Sequence, residues 1–230
     1  MKIKPRIIWT AGQQTALVVQ EDMSNKEQIS LDLLKEYPDV DQVGWLSVGS
    51  RQASAGAFTM MGGELSINGC IAAGYVLGQL TKQRCFSFAT SCLTDLIKVS
   101  IDSSVVSVSF PRSLIKKRAK NVVCLQGIRY LLICGIPPTK ILTTEQQYLL
   151  TEMLELDPAA GIIFYEDSKI VPVLAVKGTN SLYWEQACGS GSLAYWATSG
   201  ISKIRQPSGE DLTITADSQT ITITAETKEI

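Results

Sequence analysis

The chain has 230 residues, enough for one large domain or two of about a hundred residues each, and either arrangement buries a real core. Its 21 basic and 22 acidic residues leave a formal charge of −1 with no basic block or Arg-rich helix, which argues against nucleic acid as a partner. There is no histidine, and the six cysteines, at 70, 85, 92, 124, 134 and 188, form no C-x-x-C pair. No zinc or other metal site is expected, and most of the thiols read as small buried hydrophobes of a reducing compartment.

The start, "MKIKPRIIWTAGQQ", has only a short apolar run, broken well before the length of a signal-peptide core, so it reads as a first strand and a cytoplasmic location is expected. No segment approaches about eighteen uninterrupted apolar residues, and no membrane partner is expected. Residues 3–9 and 15–20 read as strands around the turn Thr10–Gln14. "SNKEQISLDLLKEY" then places Ile29, Leu33 and Leu34 at helical spacing behind a Ser/Asn cap. "QVGWLSVGS" and "AGAFTMM" follow as short strands, and the apolar run 71–80 as a helix whose Ala72, Ala73, Gly74 and Gly78 allow close packing. "FSFAT", "IKVSID" and "VVSVSF" alternate with period two, as strands do.

Pro111 marks a break, which divides the chain into a first lobe over 1–110 and a second over 111–230, with the last strands free to return to the first. The second series repeats the first: strands "NVVCLQG" and "RYLLICGI", the helix "TTEQQYLLTEMLEL", strands "AGIIFYED" and "IVPVLAVKG", then a small-residue helix after Cys188. The threonine-rich strands 212–215 and 220–224 suit a barrel as well as an interface. The order predicts two similar α/β lobes with a site between them.

Each half runs toward a helix start rich in Gly, Ser and Asn, where unpaired N–H groups and the helix dipole favour a carboxylate or phosphate. Cys188, directly before Gly189-Ser190-Gly191, is placed where such a start lowers a thiol pKa by one or more units. A structural Cys-Gly at a helix start reads equally well from these residues alone.

Five stretches in order resemble the diaminopimelate epimerase-like superfamily of amino-acid racemases and epimerases. "WEQACGSGSLA" at 184–194 looks like its second active-site motif, A-C-G-[ST]-G, and "QPSGEDLTI" at 206–214 like the strand turn that follows. "MGGELSINGCIAAGYVL" at 61–77 falls at its first motif, C-G-N-[GA]; "DQVGWL" at 41–46 resembles D-Q-x-G-[FL]; and "AGQQTALVV" at 11–19 takes the place of its S-G-N turn. The resemblance implies an α/β (α+β) fold of two similar lobes, each a β-barrel-like sheet around a central helix. It further implies an isomerase that needs no pyridoxal, metal or other cofactor, acts on an amino acid and commonly pairs as a homodimer. One residue of a facing pair would remove the α-proton and the other return one to the opposite face. Cys188 maps to one of these acid/base positions. Gly189 and Ser190 with Asn68 and Gly69 would offer N–H groups to the substrate, and Gln42 and Gln13 would touch it at the rim.

The first motif departs from the family, because alignment on Asn68 puts Ser66 at the first catalytic cysteine and Ile67 at its glycine. A hydroxyl is no standing base near neutral pH. Ser66 and Cys188 forming an asymmetric pair, a role passed to Cys70 one turn on, a Cys→Ser replacement, and a one-base isomerase or non-racemising relative all remain open; for the function, so do a proton-shifting isomerase or dehydratase similar to phenazine-pathway relatives on the same fold and a catalytically silent amino-acid-binding relative. Thr179 and Asn180 stand where diaminopimelate epimerases carry a Glu-Arg clamp, which disfavours that substrate. Trp184 and Glu185 match the W-E-N-S-C-G-S-G form of histidine racemases, although "GIRY" at 127–130 replaces their Gly-Asn-Pro-His. Core packing is the competing reading of Trp184.

Overall fold

A computed structural model describes residues 3–20, 25–51 and 54–230. The first half contains β1 (Arg6–Thr10), β2 (Gln13–Val19), α1 (Lys26–Glu36), β3 (Gln42–Arg51), β4 (Ser54–Met60), α2 (Ile67–Thr81), β5 (Cys85–Thr90), β6 (Ile97–Asp102) and β7 (Val105–Pro111). The second contains β8 (Ile115–Arg118), β9 (Val122–Leu125), β10 (Ile128–Cys134), α3 (Thr144–Leu154), β11 (Ala159–Glu166), β12 (Lys169–Val176), β13 (Ser181–Trp184), α4 (Gly189–Ser199), β14 (Lys203–Arg205), β15 (Asp211–Ala216) and β16 (Thr220–Glu229). The fold is of the α+β class.

Strands β1 to β7 run side by side in order, and β16 closes them by pairing with both β7 and β1, which makes an eight-stranded barrel. The same β16 pairs with β15, and the ladder continues through β14, β12, β11, β10 and β9 to β8. The Thr/Ile tail thus lies within the chain's own sheet. Ile221, Ile223 and Ala225 of β16 point into the core, while Thr222 and Thr224 bond the hydroxyls of Ser109 and Ser107 at 2.7 and 2.8 Å.

Helix α2 fills the barrel and packs against all eight of its strands. A helix surrounded in this way must be apolar on every side, as the buried run Ile67–Gly74 with Val76, Leu77 and Gly78 shows. Its small residues permit the fit: a Cβ on Gly74 would meet Val99 at 3.1 Å, and one on Gly78 would meet Ile101 at 2.3 Å. Helix α4 sits likewise against β9, β10, β11 and β15, and touches α2. Helices α1 and α3 cover the outer faces: Leu33 lies with Trp45 and Val43, and Leu150 and Met153 with Ile162 and Phe164.

Several boundaries differ from the sequence reading: the first turn narrows to Ala11-Gly12, with Thr10 in β1 and Gln13 and Gln14 in β2. Helix α2 begins at Ile67 rather than 71, because Ser66 caps it. For α1, Ser24 lies outside the described residues, and Asn25 precedes the helix in a left-handed conformation with no side-chain cap. No helix among the described residues is long and apolar enough to cross a membrane.

Candidate active site

Ser66 has the extended backbone of an N-cap, and its Oγ accepts the N–H of Gly69 at 2.9 Å. The hydroxyl proton is donated to Gln42 Oε1 at 3.0 Å. Gln42 Nε2 in turn donates to Thr15 Oγ1 at 2.8 Å and to Gln13 Oε1 at 3.1 Å, and Gln13 Nε2 donates to Glu185 Oε1 at 2.9 Å. A polar chain thereby runs from the first helix start to the segment between β13 and the second.

Cys188 caps α4 in the same manner: its backbone is extended, and its Sγ accepts the N–H of Gly191 at 3.2 Å. Buried Gln206 fixes this start by accepting the Cys188 N–H at 2.9 Å and donating to Ser192 Oγ, which bonds the Cys188 carbonyl. The Tyr130 and Ser190 hydroxyls each lie 3.6 Å from Sγ and 2.7 Å from one another. Asn68 ties the two starts together, its Nδ2 donating to the Ala187 carbonyl at 3.2 Å.

Between the starts lies a cleft of about 20 Å³, lined by Gln13, Gln42, Glu64, Ser66, Asn68 and Glu185 together with Cys188, Gly189 and Ser190. Such a volume holds about one water. The structure therefore brings together Cys188, Ser66, Asn68, Gly189, Ser190, Gln42 and Gln13. Gly69 is set apart: its N–H is occupied by Ser66 Oγ, which leaves the N–H groups of Ile67 and Asn68, and of Gly189 and Ser190, without intrahelical acceptors. Cys70 is buried in the α2 core and does not line the cleft. Trp184 stacks on Phe164, with ring centroids 5.9 Å apart, so packing accounts for it. Thr179 and Asn180 line a separate cavity of about 330 Å³ with Met61, Gly62 and Gly178.

Sequence reasoning did not single out Glu64, Glu185 or Tyr130 as site residues. Signals for two of them were present, since Glu64 and Glu185 lie inside the quoted helix-start motifs. Glu64 Oε2, Glu185 Oε2 and Asn68 Oδ1 are buried oxygens with no hydrogen-bond partner among the described residues. No Lys or Arg lines the cleft.

Electrostatics follow from this acidic, buried setting. Burial pushes the Cys188 thiol well above its ordinary range, and the Glu185 carboxyl pushes the same way, against the Tyr130 and Ser190 hydroxyls. The acidified thiol expected at a helix start is thus not what the closed cleft provides, because desolvation outweighs a single N–H donor. Burial also raises the Glu185 carboxyl to about 7; the Cys188 thiol and Gln13 amide pull it down, while Asp41 and Glu64 push it up. Burial is the main cause again for Glu64, Asp41 and Tyr130, all shifted upward. No group of three His, Cys, Asp or Glu side chains among the described residues is arranged to hold a metal ion.

Residues 11–228 match the family described as histidine racemase CntK N-terminal domain. No curated protein matches the sequence significantly. Among solved structures, a phenazine biosynthesis PhzC/PhzF protein from Clostridium difficile superposes with a TM-score of 0.64 at 14% identity, covering 100% of this chain and 97% of that one. A PhzF-family protein from Enterococcus faecalis gives 0.61 at 13%, covering 98% and 95%. A hydroxyproline epimerase from Agrobacterium vitis, solved with trans-4-hydroxy-L-proline bound, gives 0.63 at 12%, covering 98% and 90%. At these identities the likeness is one of fold.

Proposed function

The chain belongs to the histidine racemase CntK N-terminal domain family, and from that premise we propose that it is an isomerase that inverts the α-carbon of a free amino acid between α2 and α4, whose cleft of about 20 Å³ must open to admit it. Cys188 and Ser66 are the two proton-handling groups of this reading. The substrate carboxylate would lie against the free N–H groups at the two helix starts, where oriented dipoles also stabilise charge developing on the carbanion. The observation that carries the reading is the paired capping: one sulfur and one hydroxyl end two facing helices in the same geometry, on one cleft.

The unpartnered oxygens of Glu64 and Asn68 supply acceptors for an ammonium group and, with no cation on the cleft wall, favour a substrate carrying further positive charge. Histidine, the substrate in the family's name, satisfies that demand in its protonated form. Hydroxyl chemistry at Ser66 fits the donor half of the reaction, since a serine gives up a proton to a carbanion more readily than it removes one from carbon. Incubation with single L-amino acids in deuterium oxide tests the reading. Proton NMR is expected to show loss of the α-proton signal from histidine with appearance of the D-enantiomer, and no exchange in any amino acid would remove the proposal.

A further inference from the structure

Resting on that reading and deepening it, we propose that Glu185 is the proton acceptor for the Cys188 thiol, so that the second helix start works as a thiol–carboxylate pair. The chain has no histidine for this role, and the cleft wall has no lysine or arginine to hold a thiolate by charge. Glu185 is fixed where an acceptor is needed. Its backbone N–H is held by the Pro172 carbonyl at 3.1 Å, and Oε1 by Gln13 at 2.9 Å, itself anchored through Gln42 to Thr15 and Ser66. The other oxygen, Oε2, is buried, has no partner among the described residues, and belongs to a carboxyl that lines the same cleft of about 20 Å³ as Cys188.

The titratable groups facing this carboxyl are Cys188, Tyr130, Asp41 and Glu64, all of them acids. None compensates its negative charge, and burial raises the carboxyl to about 7, which makes it a stronger base than an ordinary carboxylate. In the step proposed, the S–H bond breaks, the proton forms an O–H bond on Oε2, and the electron pair stays on sulfur; the pair keeps one negative charge and nothing is oxidised. The thiolate takes the substrate α-proton, and Ser66 gives its proton to the other face. When the cleft opens, Glu185 releases a proton to water and Ser66 regains one.

Alkylation of Cys188 by iodoacetamide, followed by mass spectrometry of its peptide, reads this without substrate. Near about pH 7.5, Glu185→Gln is expected to slow labelling of Cys188 by roughly ten-fold or more, with partial recovery in Glu185→Asp, while exposed Cys85 and Cys134 label as in the wild type and report an intact fold. The α-deuterium exchange rate should fall in parallel with little change in KM. A carboxylate that only repels the thiolate would give the opposite, faster labelling in Glu185→Gln; that result, or an unchanged rate, overturns the proposal. Failure of the racemase reading shows separately, as absence of exchange by the wild type or its persistence in Cys188→Ala.

Discussion

Ser66 and Cys188 occupy one structural position with two different atoms, each taking the N–H of the third residue of its helix. Replacement of Ser66 by alanine removes a cap and a proton donor together. It is expected to cost about 1 kcal/mol in thermal or denaturant unfolding and to lower racemisation by about 10²-fold or more. Exchange without inversion should survive at the Cys188 face, which chiral chromatography of the deuterated product would reveal. Glu185 predicts a pH dependence of stability. Its folded pKa is raised to about 7 from an ordinary 4.5, so its contribution is fully present below about pH 4.5 and is lost as pH rises through 7. The loss is up to about 3 kcal/mol, with the exposed remainder of the residue reducing it. Calorimetry of Glu185→Gln between those limits should show a flatter Tm profile than the wild type; an unchanged slope would assign the dependence to other groups.

At the scale of elements, the two helix starts are held so close that side chains barely fit between them. A Cβ on Gly189 would meet Asn68 Oδ1 at 2.6 Å and Ile67 at 2.7 and 2.8 Å. Gly189→Ala is accordingly expected to push α4 from α2, costing about 1–3 kcal/mol and most of the exchange activity, whereas Gly200→Ala tests only the left-handed turn after α4. Much of this arrangement was legible in the sequence: the Gly/Ser-rich starts, the small-residue face of α2 and the alternation of β6 and β7 each encode a local preference. The polar "IKKR" of β8, the exposed β13 and the three-residue β14 were not read as strands, since short edge segments lack an apolar period. The upward shift of the Cys188 thiol was hidden for a different reason. Local sequence reports the helix terminus, but the burial that overrides it is made with residues distant in the chain, Gln13, Gln42 and the start of α2 among them.

For the whole molecule the decisive element is β16, which pairs with β1, β7 and β15 and so belongs to the barrel and to the second sheet at once. Shared pairing predicts one cooperative transition rather than two. Ile223, fully buried and opposite both Val108 and Ile214, is the place to test it. Ile223→Ala should cost about 2–5 kcal/mol, and hydrogen exchange should show amides of β2 and of β11 losing protection together; separate losses would mean two independent units. The seam between β1 and β16, reinforced by Arg6 Nε donating to Glu229 Oε1 at 2.8 Å, joins residues 223 positions apart. A ribosome adding roughly 5–20 residues per second leaves the first strands waiting on the order of ten seconds or more for this partner. Throughout that interval β1 and β7 are open edges around an apolar helix, so the hazard of edge-to-edge association belongs to the nascent chain rather than to the finished barrel.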